Sequence, residues 1–103
     1  MTDVRVLLAR NMKRCREILG LSQMKLADRV GCSTTLIGNI EIGKRFPSAE
    51  NLNKIAAALD IPPSELFSED SAAIDRMQTT QELRARLEKK VLKAIGDALS
   101  SKG

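Results

Sequence analysis

The stretch LADRVGCSTTLIGNIE, from Leu26 to Glu41, has the pattern of one amphipathic helix with a glycine in its middle. At that position Gly31 costs a helix about 1 kcal/mol relative to alanine. Ser33 follows two residues later and is a good N-cap for a new helix. Because glycine accepts the positive φ of a sharp helix exit, we predict two helices, over about 22–30 and 33–42, that meet at Gly31. One continuous helix is the alternative.

Helical periodicity continues on both sides of this pair. An apolar stripe at steps of three and four residues precedes Gly20, and a second apolar pattern runs from Ser48 to the Pro62-Pro63 pair. The stripe before Gly20 comprises Val4, Leu8, Met12, Cys15 and Leu19. The stretch PSELF then forms a short turn that docks Leu66 and Phe67. We therefore predict five helices within residues 1–67.

Composition and charge restrict the fold class of the protein and the kind of partner it binds. The 103 residues are 43% hydrophobic but only 2% aromatic, which suits close-packed helices better than a sheet. Residues 1–54 hold 10 Lys or Arg and 5 Asp or Glu, whereas residues 55–70 hold four acids and no Lys or Arg. The basic first half favours an anionic partner, with an ordinary solvated surface as the alternative.

The last third of the chain has a different pattern. Residues 68–79 are polar, with only Ile74 and Met77 apolar at helical spacing, and we interpret them as a hinge or a frayed helix start. Residues 80–99 form an amphipathic helix of about five turns. The chain is thus divided into a domain at 1–67, a linker at 68–79 and a helix with a short tail at 80–103.

The stretch LSQMKLADRVGCSTTLIGNIEIGKRFPSAENLNKIAAAL strongly resembles the XRE family of helix-turn-helix regulators, which includes phage repressors and Cro proteins. It contains the pattern L-S-Q-x-x-L-A, then V-G-x-S, then I-x-x-I-E-x-G-K-R-x-P-S. The resemblance covers about residues 5–67. It implies an all-α fold, with a five-helix lambda-repressor-like DNA-binding domain followed by the C-terminal amphipathic helix. The helix at 33–42 would enter the major groove of double-stranded DNA.

The resemblance also implies roles for particular residues. Base contacts are expected from Thr34, Thr35 and Asn39, and backbone contacts from Gln23, Ser33, Lys44 and Arg45. Gln23 corresponds to the family's phosphate clamp at the start of its second helix. Arg16 and Glu41 resemble a structural ion pair that links the first helix to the recognition helix, with two independent exposed charges as the alternative.

The chemistry of these residue types agrees with base reading. Thr34, Thr35 and Asn39 fall on one side of a helix, opposite Ile37 and Ile40. Asparagine pairs bidentately with adenine, and threonine offers a hydroxyl to base edges and a methyl group to thymine. This face carries no Gln or Arg, so it reads bases less forcefully than many relatives. Gly38 beside them either permits close approach to the groove wall or merely avoids a clash.

An enzyme is not expected, because the chain has no histidine, no nucleophile motif and no glycine-rich phosphate loop. No cofactor or metal is expected either. Cys15 and Cys32 form no CxxC motif and should be free thiols in a reducing cytoplasm, with a redox switch at Cys32 as the less common case. The N-terminal apolar run at 6–9 is too short for a signal peptide or a membrane span.

A homodimer would explain the C-terminal helix, because two linked domains on adjacent major grooves gain avidity. Its interface would comprise Leu83, Leu87, Val91, Leu92, Ile95 and Leu99. The alternative is that this helix packs back onto its own domain. The sequence thus predicts a cytoplasmic, bacterial or phage-derived dimeric repressor that binds an inverted-repeat operator. An antitoxin-type or other protein-interaction module, whose main partner is a protein, is the other hypothesis.

Overall fold

Six helical elements follow one another in the computed structural model, which describes residues 3–70 and 72–100 except the side chains at positions 72, 73, 77, 97, 99 and 100. Helices α1 (Val4–Ile18), α2 (Gln23–Val30), α3 (Thr34–Glu41) and α4 (Ala49–Ala58) precede a 3-10 helix (Pro63–Phe67) and the long α5 (Ala72–Ser100). No strand occurs in these described ranges, and the predicted all-α class is confirmed.

Local chemistry sets the helix boundaries. The hydroxyl oxygen of a serine accepts a hydrogen bond of 3.0 or 3.1 Å from the backbone N–H three residues later at the start of α2, α3 and α4. The three caps are Ser22, Ser33 and Ser48. Gly31 ends α2 in the left-handed conformation, with φ +82°, and its N–H donates to the Ala27 carbonyl at 2.8 Å. Gly31 is therefore the corner between two helices.

The core takes one face from every element. Fully buried side chains come from α1, α2, α3, α4, the loop after α4, the 3-10 helix and the start of α5; they include Leu8, Met12, Leu26, Ile37, Ile40, Ile55, Leu59, Leu66 and Ile74. Val4 is 54% exposed, and the buried face of α1 uses Leu7 in its place. Asn11 is buried as well, and its side-chain amide donates to the carbonyls of Leu66 and Ser68 at 3.0 and 2.9 Å. This amide holds the 3-10 helix against α1.

The structure differs from the predicted linker at 68–79, because α5 already begins at Ala72. Ile74 is only 2% exposed and anchors the first turns of α5 in the core. Arg14 of α1 forms an ion pair with Asp75. Packing of this kind, rather than local propensity, provides most helix stability in proteins. Residues 72–79 therefore belong to α5, which agrees with the helix start, one of the two interpretations of this stretch, and not with a hinge.

Beyond these turns, α5 extends away from the domain with its apolar stripe uncovered. Leu83, Leu87, Val91, Leu92 and Ile95 are between 52% and 69% exposed, so this part of α5 does not pack back onto its own domain. The side chain of Leu99, the sixth residue of the predicted interface, lies outside the described residues. No helix in the described part of the chain has both the length and the hydrophobicity to cross a bilayer.

Candidate nucleic-acid interface

One face of α3 carries the predicted base-reading residues. Thr34 and Thr35 are exposed in its first turn, and Asn39 lies half-buried on the next turn. Ile37 and Ile40 are buried on the opposite side, with at most 1% exposure, and fix the rotation of the helix about its axis. The packing of α3 therefore leaves its three short polar side chains pointing away from the core.

Two cations follow this face directly. The backbone N–H groups of Lys44 and Arg45 both donate to the Asn39 carbonyl, at 2.9 and 3.2 Å, so the loop folds back over the end of α3. Both side chains are exposed, and neither makes an ion pair with another described residue. The structure thus places two unpaired positive charges beside Asn39.

A buried ion pair sets the position of α3 relative to α1. The Arg16 guanidinium donates from Nε to Glu41 Oε2 at 2.8 Å and from Nη2 to Oε1 at 2.9 Å. A third donor, Nη1, bonds the Leu21 carbonyl at 2.8 Å. The Glu41 side chain is only 2% exposed, and its hydrogen bonds raise the pKa of Arg16 above its usual value. These two residues lie together, as the resemblance implied, and join α1, α3 and the loop between α1 and α2.

Gln23 belongs to the same network, which the sequence did not indicate. Its side-chain amide donates to Glu41 Oε1 at 3.2 Å, across 18 positions of sequence. No periodicity links residues that far apart, so only the packing of α2 on α3 reveals this contact. The bond leaves Gln23 at the first turn of α2, with its amide beside α3. The helix N-terminus and the Gln23 amide thus lie together at one edge of the α3 face.

Gly38 lies in α3 with room around it. A Cβ built at this position would meet only the end of the Gln23 side chain, at 3.6 and 3.9 Å, which is ordinary contact. The explanation that glycine avoids an internal clash is therefore not supported. Close approach of a ligand remains the open interpretation of this residue.

The two cysteines are free thiols. Cys15 is fully buried and Cys32 half-buried, and in each case burial raises the pKa of the thiol. A raised pKa keeps a thiol protonated at neutral pH and lowers its reactivity. Among the described residues, no cluster of His, Cys, Asp or Glu is arranged to hold a metal ion.

These features together define a class of protein. Two short helices meet at a left-handed glycine, the second presents short polar side chains, and two exposed cations follow it. This is the helix-turn-helix arrangement of DNA-binding proteins, in which the second helix enters the major groove.

Comparison with known proteins gives the same class. The sequence model of the Helix-turn-helix family matches residues 12–66, which is more than half of the chain. The chain is 40% identical over 70 residues to control protein C.MunI of a Mycoplasma species, a match that covers 67% of this chain and 95% of that protein. The chain therefore belongs to the helix-turn-helix family of DNA-binding transcriptional regulators.

Two further relatives extend the comparison. The cryptic phage CTXphi transcriptional repressor RstR of Vibrio cholerae is 36% identical over 74 residues, which cover 72% of this chain and 62% of the repressor. The crystal structure of the restriction-modification controller protein C.AhdI from Aeromonas hydrophila superposes with a TM-score of 0.59 at 40% identity, over 61% of this chain and 96% of that one. The family match itself ends before α5 begins.

Proposed function

We propose that this protein is a repressor that binds an inverted-repeat operator as a homodimer, with α3 in the major groove of each half-site. The observation that carries the proposal is the composition of the exposed α3 face. Thr34, Thr35 and Asn39 offer hydrogen-bond donors, acceptors and methyl groups of the kind that read base edges. The only carboxylate in α3, Glu41, is buried against Arg16, so no exposed acid on this helix repels the phosphates.

Groups suited to phosphate binding lie on both sides of this face and support the docking mode. Gln23 stands at the N-terminus of α2, where unpaired backbone N–H groups and the helix dipole favour an anion. Lys44 and Arg45 lie at the opposite end, past the last turn of α3. Ser33 precedes α3, is exposed, and caps the helix with its hydroxyl oxygen. In the proposed complex these four residues position the protein on the DNA backbone.

The apolar stripe of α5 supports the dimer. Five large side chains at helical spacing are at least half exposed, and a second copy of the same helix would cover them. Two-fold pairing would place two copies of α3 on half-sites about 34 Å apart. A single domain contacts one half-site, and joining two raises the affinity for the full operator.

The proposed function also bears on catalysis and cofactors. A regulator of this kind works by binding and requires neither a catalytic centre nor a cofactor. We place it with its DNA, in the cytoplasm of a bacterial cell.

Selection of binding sites from random duplex DNA tests the proposal, with the full chain at moderate salt. We expect enrichment of an inverted repeat whose half-site centres lie one helical turn, about 10 bp, apart. Enrichment of a single half-site would keep the DNA-binding mode and reject the dimer geometry. Folded protein that enriches no sequence and binds DNA only at low salt would favour a protein-interaction module of the antitoxin type.

A further inference from the structure

A second positively charged surface lies on the distal part of α5. Arg86, Lys89, Lys90 and Lys93 follow spacings of three, four and seven residues and so share one side of the helix. We call these four residues the basic face. All four are exposed, and none forms an ion pair or side-chain hydrogen bond with another described residue.

The basic face and the apolar stripe lie on different sides of α5. At 100° per residue, the five apolar residues of the stripe are centred about 150° away from the basic face, and Lys90, seven residues after Leu83, lies nearest to the stripe. A dimer formed through the stripe would therefore leave Arg86, Lys89 and Lys93 uncovered, with Lys90 at its border. Five large apolar residues and four cations thus divide the same helix into two surfaces.

The direction of the basic face follows from the contacts of α5 with α1. Gln78, Glu82 and Ala85 line a cleft together with Glu17 and Ile18 in the last turn of α1. Lys89 and Lys93 continue this side of α5 at steps of four residues, about 6 and 12 Å beyond Ala85. Helix α1 ends at Ile18, so the basic face extends past the end of α1.

The chain turns at this end of α1 and begins α2 at Gln23, five residues after Ile18. The basic face therefore extends beyond the end of α1 that leads into the N-terminus of α2. Lysine and arginine side chains reach outward on long flexible stems, which suits contact with a charged backbone rather than with base edges.

We propose that the basic face binds backbone phosphates of duplex DNA next to the half-site held by α3. The inference rests on the proposed function and adds a second, sequence-independent contact surface to it. The positive charge of the basic face is complementary to DNA, the polyanion that the helix-turn-helix domain of the same chain would hold in place. Because α5 is docked on the domain through Ile74, the four cations move with α3 and not as a free tail.

The test compares two duplexes and three proteins. One duplex is the shortest that retains specific binding after site selection, and the other adds 10 bp of unrelated sequence at each end. The variant Lys89→Gln/Lys93→Gln removes two charges from the basic face at similar side-chain length. The matched control Lys54→Gln/Arg76→Gln removes two exposed charges from α4 and from another side of α5.

The wild-type protein and the control should bind the long duplex more tightly than the short one and with a steeper salt dependence. In the basic-face variant, the slope of log affinity against log salt on the long duplex should become shallower by about 1.8 per protomer. Between 50 and 200 mM salt, the affinity of the basic-face variant for the long duplex should therefore fall by roughly tenfold less than that of the wild type. On the short duplex, the variant and the control should behave alike.

The inference would be overturned if the affinities of the basic-face variant and the wild type depended equally on duplex length. An acidic protein would then be the favoured partner of the basic face. That result would not touch the proposed function, since specific binding to the short duplex is measured in the same experiment. If no protein binds the short duplex specifically, the proposed function itself fails. Sedimentation of each variant without DNA verifies that its oligomeric state is unchanged.

Discussion

At the scale of single residues, the proposed interface contains two groups: readers, which contact base edges, and anchors, which contact the DNA backbone. Thr34 and Asn39 present groups that distinguish base pairs, whereas Lys44 and Arg45 present charge alone. We expect Thr34→Ala and Asn39→Ala each to cost about 1–3 kcal/mol on the selected site and to relax preference at particular base positions. Affinities for a panel of single-base variants of the site measure this effect.

Lys44→Ala and Arg45→Ala provide the contrast within the same experiment. Each should weaken binding to every sequence alike and reduce the salt slope by about 1. Equal losses for all four variants on every sequence would show that the division into readers and anchors is wrong.

The pair of Arg16 and Glu41 is expected to contribute to stability rather than to recognition. Both side chains are largely buried, and Glu41→Ala would leave the Arg16 guanidinium without its carboxylate. Breaking a buried pair in this way costs about 3–5 kcal/mol. Urea unfolding should therefore show Glu41→Ala and Arg16→Ala each to be strongly destabilised.

A double-mutant cycle gives the control for this pair. The variant Arg16→Ala/Glu41→Ala removes both charges together, so it should be destabilised by much less than the sum of the two single losses. Additive losses would mean that the two residues act independently, despite the hydrogen bonds of 2.8 and 2.9 Å between them.

At the scale of elements, two glycines of the helix-turn-helix should respond to alanine in opposite directions. Gly31 has φ +82°, which costs an L-residue about 1–2 kcal/mol. Gly38 lies inside α3 with helical backbone, where alanine is favoured by about 0.8–1.0 kcal/mol. Gly31→Ala should thus lower and Gly38→Ala should raise the free energy of unfolding, as measured in urea. A loss of stability in Gly38→Ala would contradict the open space around that residue.

The same Gly38→Ala protein tests the remaining interpretation of this position. If the groove wall approaches α3 at Gly38, the added methyl group should lower the affinity for the selected site while stability increases. Unchanged affinity would show that the close approach does not occur. The opposite changes in stability and in binding separate this effect from general damage to the fold.

The helices of the domain were predictable because their ends carry local chemistry. Ser22, Ser33 and Ser48 cap helices in the structure as expected, and Gly31 adopts the positive φ that its position suggested. For the start of α5, the sequence left a hinge and a helix start as alternatives. Its first turns are polar in sequence and depend on one buried side chain, Ile74, which packs on residues far from it along the chain.

In the candidate site, too, contacts between helices could not be predicted from the sequence pattern. The resemblance supplied Arg16 and Glu41 as a pair, and the pair is present. The hydrogen bond from Gln23 to Glu41 was missed, because it depends on how α2 packs against α3 and leaves no periodic trace in the sequence. Patterns within one helix are therefore readable from sequence, and contacts between helices much less so.

At the scale of the whole molecule, the apolar stripe of α5 should determine the oligomeric state. Leu87→Glu/Val91→Glu places charges in the middle of the stripe, at positions that are 60% and 56% exposed in the single chain. We expect this protein to remain folded and to sediment as a monomer. Its affinity for the inverted repeat should fall by about 10²–10⁴-fold, the usual gain from joining two binding modules.

Binding to an isolated half-site distinguishes this effect from a general loss of activity. The affinity of Leu87→Glu/Val91→Glu for a single half-site should equal that of the wild type. A variant that remains dimeric would show that the chain pairs through another surface.

The continuity of α5 also limits which operators such a dimer would tolerate. A flexible linker at 68–79 would let each domain swivel, so that half-sites at several separations could be bound. Instead, α5 runs unbroken from its anchor at Ile74 through the stripe. In the proposed dimer, the angle between the two domains would therefore be fixed. Each inserted base pair rotates one half-site by about 35° around the DNA axis. Adding or removing two base pairs at the centre of the operator should therefore reduce the affinity to that of a single half-site.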